Sequence, residues 1–232
     1  MPELIEWPCE LLRLTSCRVF LKHTTRTSGV SLAGTDQIIS NGAAHWEVRL
    51  SLSVYAEEQM IKDFEAHVSM MRGRLNIADL CLYDRYRYGE QVSPLQDSQF
   101  DDTDDGAWFD DGTGFLDESG GVQPMVVETG GAAGANTLTV GMTDPVRPSF
   151  RRGDMFSVNG FLYRVVRRND QGWVRFEPDA REAIPAGTVL QTDPPRFHGR
   201  FATDDEGARA RDILSYAAPI SLTFVEAFDR VA

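Results

Sequence analysis

The sequence predicts a mainly β protein, a β-sandwich with one packed α-helix followed by a second, small β-barrel-like domain. Apolar and polar residues alternate along His45–Val54, which is the period of a half-buried strand. Apolar residues recur every three or four positions along Glu57–Arg72, which is the period of an amphipathic helix. After residue 129 the apolar runs are short and turn residues separate them, as is typical of a small barrel.

Strands surround the predicted helix in the first part of the chain. Cys9–Leu21 and Leu75–Tyr83 are rich in apolar and β-branched residues, which favour strands. The run SNGA at Ser40–Ala43 supplies a turn before the strand that carries Trp46. We therefore expect a sheet to which the strand His45–Val54 contributes one buried face.

The helix is expected to bury one stripe of side chains against this sheet. Phe64 is at the centre of the stripe, and Gly73 is a plausible end signal after the last turn. The stripe consists of Met60, Phe64, Val68 and Met71. Phe64 should therefore be a core residue.

Short strands and hairpin turns fill the second part. Asn159-Gly160 lies between two apolar runs and predicts a type I′ hairpin, because both residues tolerate positive φ. Asp170–Gly172 is expected to close the next hairpin. The alternating run with Ile220, Leu222 and Phe224 is expected to return to the first sheet. The other predicted strands are Asn136–Val140, Met155–Val158, Phe161–Arg168, Trp173–Glu177 and Thr188–Gln191.

Charge divides the chain into three segments. Residues 1–95 carry a net charge of −2, residues 96–128 carry −10 with no basic residue, and residues 129–232 are neutral, which sums to −12. We expect residues 1–95, completed by the strand 219–228, to form the sandwich, 96–128 an acidic linker, and 129–218 the barrel-like domain. This balance argues against specific nucleic-acid binding and against attraction to an anionic membrane.

The cysteines and the first residues bear on the compartment. Cys9, Cys17 and Cys81 are odd in number and lack CxxC spacing, so neither a disulfide framework nor a zinc site is predicted, and a reducing compartment fits best. The first residues lack a basic region, and no apolar run approaches the length of a membrane span. We expect no export signal, no anchor and no membrane insertion.

No motif indicates an enzyme. The four histidines (His23, His45, His67 and His198) are scattered, and the sequence has no nucleophile elbow, P-loop or dinucleotide fingerprint. We predict no catalytic residue, no cofactor and no metal. The weak metal candidates are Asp101, Asp102, Asp104 and Asp105 in DDTDDG. Counted from Asp101, the third loop position is Thr103 and the twelfth is Gly112, where an EF-hand requires a bidentate Glu. A solvated acidic loop is the favoured interpretation.

Several segments resemble one family. The segments are SGVSLAGTDQIISNGAAHWEVRLSL followed by a helix and LNIADLCLYD, then GDMFSVNGFLYRVV, FEPDAREAIPAGTVL and ISLTFVEAF. They resemble the distal tail proteins and related tail-tip components of long-tailed phages and phage-like gene transfer agents. The acidic segment 96–128 has no counterpart that we know in this family.

The resemblance implies a structural virion protein of the tail or baseplate. In that family an N-terminal β-sandwich with a helix forms a ring of six copies around the tail channel, and a β-domain faces outward. The implied partners are further copies of the chain in a hexameric ring, the tail tube protein and the hub or tip proteins. The implied location is the virion tail, after synthesis in the bacterial cytoplasm.

Three alternatives remain open. The first is a carbohydrate-binding module that contacts host glycans through exposed aromatic side chains, with Trp108, Phe109 and Trp173 as candidates. For Trp173, burial in the core is the favoured expectation. The second is another tail component, such as a tube or terminator protein. The third is a hydrolase of unfamiliar type, for which no acid, base and nucleophile can be placed.

Overall fold

The computed structural model describes residues 2–30, 32, 34, 36–40, 44–54, 57–82, 125–141, 150–192, 194–208 and 218–229. These ranges contain one α-helix, α1 (Glu58–Met71), and a 3-10 turn at Cys9–Leu11. The strands are β1 (Leu4–Glu6), β2 (Leu14–Lys22), β3 (Thr25–Val30), β4 (Asp36–Ser40), β5 (His45–Leu52), β6 (Ile77–Cys81), β7 (Met125–Thr129), β8 (Thr137–Val140), β9 (Met155–Val158), β10 (Phe161–Arg168), β11 (Trp173–Glu177), β12 (Val189–Leu190), β13 (Arg196–Phe201) and β14 (Ile220–Glu226).

The first sheet has six strands in the order β1-β6-β13-β14-β5-β2. Its neighbours are antiparallel except for β1 and β6, which are parallel. The alternation predicted for β5 is observed, since Trp46, Val48, Leu50 and Leu52 are all buried. Helix α1 packs on the same face, where these residues and Phe64 belong to one hydrophobic core.

Phe64 is fully buried, which confirms the predicted centre of the helix stripe. Trp7 lies beside it, with its ring centroid 6.0 Å from that of Phe64, and it also contacts the rings of Phe201 and Phe224. Ile61 rather than Met60 is buried at the start of the helix. The helix ends as expected, with Arg72 and Gly73 both at positive φ.

The second sheet also has six strands, in the order β12-β7-β8-β11-β10-β9. A bridge between Ser157 and Gln191 brings its two edges together, so the sheet is nearly closed. Aromatic rings fill its interior, and the centroids of Phe156 and Tyr163 are 5.3 Å apart. Over the described residues, the fold class is therefore confirmed as mainly β, with one packed helix and a barrel-like second sheet.

The hairpin at Asn159-Gly160 has the predicted backbone, with φ values of 50° and 73°. Its glycine is also required by packing, because a Cβ atom on Gly160 would lie 2.2 Å from Cγ of His198. His198 is on β13, so this turn of the second sheet contacts the first sheet directly. The backbone N–H of His198 donates to the carbonyl of Gly160 at 3.0 Å.

Two strands lie outside their expected segments. β13 lies within residues 129–218, which were expected to form the barrel-like domain, but it belongs to the first sheet. β14 pairs with β5 in the same sheet, as expected. The chain leaves the barrel at Pro194-Pro195, and Leu82 N–H donates to the carbonyl of Pro195. β7 begins at Met125, inside the segment predicted to be a linker. The prediction followed the acidic residues before Met125 and missed the short apolar run of β7. Residues 96–124 lie outside the described residues.

Cys9 and Cys81 form a disulfide, so the expectation of no disulfide is wrong. The parity and spacing of cysteines carry no information about which strands become neighbours. Here β1 pairs with β6 in parallel, which brings the turn after β1 beside the last residue of β6. The two Cα atoms are 5.7 Å apart, within the range of a disulfide. Within the described ranges, no helix is long and apolar enough to cross a membrane.

Candidate functional site

A two-stranded ribbon projects from the first sheet between β2 and β5. The pairing of β2 with β5 ends at Lys22 and His45, and that of β3 with β4 resumes at Thr25 and Ser40. We call residues 25–40 the arm. Among the described strands, β3 and β4 pair only with each other. Six residues of β3 span about 20 Å at the usual strand rise.

The arm exposes apolar side chains. Ile38 is 67% and Ile39 54% exposed, and Leu32 at the tip is fully exposed. Since successive side chains of a strand point to opposite faces, Ile38 and Ile39 place one exposed apolar side chain on each face of the ribbon. Within the arm, the Thr27 hydroxyl donates to Asp36 and accepts from the N–H of Gly29. The arm therefore has internal hydrogen bonds but exposed apolar surface on both sides.

Charged residues surround Phe20 on β2 near the base of the arm. The guanidinium groups of Arg18 and Arg49 lie 5.4 Å and 5.3 Å from its ring centroid. Glu47 is almost fully buried, and its carboxylate accepts hydrogen bonds from Nε and Nη2 of Arg49 at 2.9 Å and 2.6 Å. Burial raises the pKa of Glu47, but the hydrogen bonds of Arg49 and the charge of Lys22 outweigh it, so the net pKa is lowered.

A buried ion pair joins the two sheets close to the same base. The Glu226 side chain on β14 is fully buried. The side chain of Arg181, in the segment between β11 and β12 of the second sheet, is 14% exposed. The carboxylate accepts from Nε and Nη2 of Arg181, each at 3.0 Å, and from the backbone N–H of Trp46 at 2.9 Å. Arg181 also donates to the carbonyl of Ala44, directly before β5. We call this cluster the joint.

Further contacts surround the joint. The indole N–H of Trp46 donates to the carbonyl of Leu162 at 2.6 Å, and the Arg164 guanidinium lies 4.9 Å from the Trp46 ring. The Tyr163 hydroxyl accepts from the N–H of Arg181 at 3.0 Å. Burial raises the pKa of Tyr163 to about 12, although the Arg181 hydrogen bond and charge act in the opposite direction. The joint thus holds the second sheet against the strand that carries the arm.

A groove of about 440 Å³ lies between the turn after α1 and the loop after β13. Its charged groups pair with nearby groups of the chain. The Arg200 guanidinium donates to the carbonyls of Arg74 and Leu75, and Asp204 accepts from the N–H of Arg74 at 3.1 Å. Close contact also explains Gly73, where a Cβ atom would lie 2.8 Å from Asp204. These contacts join the helix end to the loop.

Most of the residues singled out from the sequence lie outside the part of the chain that the structure describes. The candidates Asp101, Asp102, Asp104, Asp105, Trp108 and Phe109 lie outside the described residues. Nδ1 of His67 is bonded to the Asp63 carbonyl at 2.7 Å, and Nε2 of His198 is 3.5 Å from the Asp79 carboxylate. In the part of the chain that is described, no three His, Cys, Asp or Glu residues form a group that could hold a metal ion.

Trp173 lies on the surface, so the expectation that it belongs to the core is wrong. It is 36% exposed at the start of β11, and its backbone N–H donates to Oδ1 of Asn169 across the hairpin. The exposed indole remains available for contact with another molecule.

Arg181 and Glu226 were not identified from the sequence, although one signal was present. The alternation that buries Leu222 and Phe224 places Glu226 on the same face two residues later. A carboxylate at a predicted core position indicates a buried partner.

No protein-family model matches this chain, and a search of curated proteins finds no similar sequence.

Proposed function

We propose that the chain is a structural subunit of the tail of a long-tailed phage or phage-like particle, where copies form a ring at the distal end. The quoted resemblance suggests this role, and the mainly β fold with one helix is the fold that the resemblance implies. The ring would join the tail tube to the hub and tip proteins. No catalytic step is proposed.

The arm is the observation that carries the proposal. An isolated two-stranded ribbon is marginally stable in water, and this one exposes Ile38 and Ile39 on opposite faces. Its base is next to the buried Arg181–Glu226 pair, so the arm begins where the two sheets are held together. A ribbon of this kind gains stability when a neighbouring subunit covers it. Repeated head-to-tail contacts between identical copies generate a closed ring when the rotation closes.

The charge balance supports a position in the wall of a channel rather than a grip on nucleic acid. The net charge of −12 repels phosphate, and residues 96–128 alone contribute −10. A tail wall needs to let DNA pass without binding it. Synthesis in the bacterial cytoplasm and incorporation into the virion tail complete the proposal.

Light scattering after gel filtration tests the ring. We expect a mass of about 155 kDa, six times the 25.9 kDa of one chain. The double variant Ile38→Ser/Ile39→Ser should reduce the mass to that of the monomer, because these exposed side chains contribute little to the fold of the subunit. Val189→Ser is the matched control, since Val189 is 56% exposed on the second sheet and outside the arm.

The outcomes separate the role of the arm from the function. A ring that persists in the double variant shows that another surface holds the copies together. A monomer at every concentration, together with absence of the chain from purified tails, contradicts the proposed function. Immunogold labelling of tails supplies the second measurement.

A second candidate is a carbohydrate-binding module, favoured by the exposed indole of Trp173. Aromatic faces are common platforms for ligands that combine apolar and polar surface. A glycan array of the wild-type chain and of Trp173→Ala tests it. Binding that disappears in Trp173→Ala supports this function, whereas an array without signal for the wild type contradicts it.

A further inference from the structure

The disulfide ties a short N-terminal segment to an internal strand. We call residues 2–12 the strap. Among the described strands, β1 of the strap is at the edge of the first sheet and pairs only with β6. The N–H of Trp7 donates to the carbonyl of Asp79 at 3.1 Å, and Ile77 N–H donates to the carbonyl of Glu3 at 2.9 Å. The disulfide closes this attachment just beyond the strand pair.

The two sulfur atoms differ in their surroundings. Cys9 is exposed, whereas Cys81 is 6% exposed. A thiolate from solution therefore reaches the sulfur of Cys9 more easily than that of Cys81.

We propose that the Cys9–Cys81 bond is a redox lock that sets how firmly the strap covers β6. The lock opens when a small thiol of the glutathione class attacks Sγ of Cys9. The disulfide bond breaks, Sγ of Cys81 takes the electron pair and then a proton, and a mixed disulfide remains on Cys9. A second thiol attacks the outer sulfur of this mixed disulfide and releases Cys9. The net reaction converts one protein disulfide and two thiols into a protein dithiol and one small-molecule disulfide.

The open state keeps the fold but loosens the strap. Trp7 is fully buried among Phe64, Phe201 and Phe224, so the strap has its own anchor in the core. Without the disulfide, the three residue pairs of β1 with β6 hold the edge with this anchor. Detachment of β1 uncovers backbone groups of β6, which can then pair with another strand. The inference does not depend on the proposed function.

The effect on stability follows from the length of the closed loop. The two cysteines are 72 residues apart, so the bond removes much conformational freedom from the unfolded chain. For a chain of this size, the melting temperature of the reduced protein should be lower by roughly 10 °C. Amides of β1 should also exchange with deuterium faster in the reduced protein, while those of β5 are less affected.

The experiment uses the full chain equilibrated with oxidised or reduced glutathione. After denaturation, mass spectrometry should count one alkylated cysteine in the oxidised sample and three in the reduced sample. The double variant Cys9→Ser/Cys81→Ser should melt at the same temperature in both buffers. Cys17→Ser is the matched control and should retain the full difference in melting temperature between the two buffers.

The direction of attack is tested in the Cys17→Ser background. The single thiol left by Cys81→Ser should react with a disulfide reagent at least tenfold faster than the one left by Cys9→Ser. Three alkylated cysteines after oxidised glutathione, or equal melting temperatures of the wild type in both buffers, would overturn the lock. Equal exchange of the β1 amides in both states overturns the loosening of the strap.

Discussion

Replacing Glu226 by Gln tests whether the joint contributes to stability as its geometry implies. The carboxylate accepts three hydrogen bonds on two oxygens, two from Arg181 and one from the N–H of Trp46. Gln keeps the shape but has one acceptor oxygen, and its amide nitrogen then faces a donor. Arg181, only 14% exposed, also loses its counter-charge. Breaking a buried pair in this way costs about 3–5 kcal/mol.

Chemical denaturation followed by tryptophan fluorescence measures this loss. Glu58→Gln is the control, because Glu58 pairs with Lys62 on the exposed side of α1, where such pairs contribute at most about 0.5 kcal/mol. The double variant Arg181→Met/Glu226→Leu should recover part of the loss, since it leaves no buried charge unpaired. A cost for Glu226→Gln no larger than that of Glu58→Gln would refute our account of the joint.

Three further predictions concern the cores and the contact between the sheets. Phe64→Ala should cost about 3–5 kcal/mol in denaturation, whereas Glu65→Ala should cost less than about 1 kcal/mol; equal costs would show that the buried face of α1 is misassigned. Because Tyr163 has its pKa raised to about 12, the folded state should lose about 2–3 kcal/mol between pH 10 and 12, where the unfolded chain ionises first. Tyr163→Phe should lack this loss. If the free energy of unfolding of both proteins fell in parallel between pH 10 and 12, the prediction would be contradicted. Gly160→Ala should lower the melting temperature by several degrees, since its Cβ would overlap the His198 ring at positive φ.

Local periodicity accounts for what the sequence predicted well. The alternation of β5 and the stripe centred on Phe64 are set by neighbours within a few residues, and both are found as expected. The turn at Asn159-Gly160 is likewise local, because its backbone needs only residues that tolerate positive φ.

Contacts between distant residues account for what was missed. Arg181 and Glu226 are 45 residues apart, one between two strands of the second sheet and the other on a strand of the first, so no local pattern pairs them. Cys9 and Cys81 meet only because β1 adds to β6 in parallel. β7 was assigned to the linker because a sum of charges over a segment does not show the apolar run at its end. Trp173 was expected in the core because residue type alone does not tell which end of a strand the side chain occupies.

The order of strands in the first sheet has a consequence for how the chain acquires its structure during synthesis. The central strand β14 pairs with β5, so Ser51 cannot meet its partner Ser221 until 170 further residues have been synthesised. The barrel strands β9 to β11 instead pair within short hairpins. Because nearby pairings form faster than distant ones, the barrel should fold first on the ribosome. Until the final strand emerges, the N-terminal strands have unpaired edges, and this nascent intermediate is the state most exposed to aggregation.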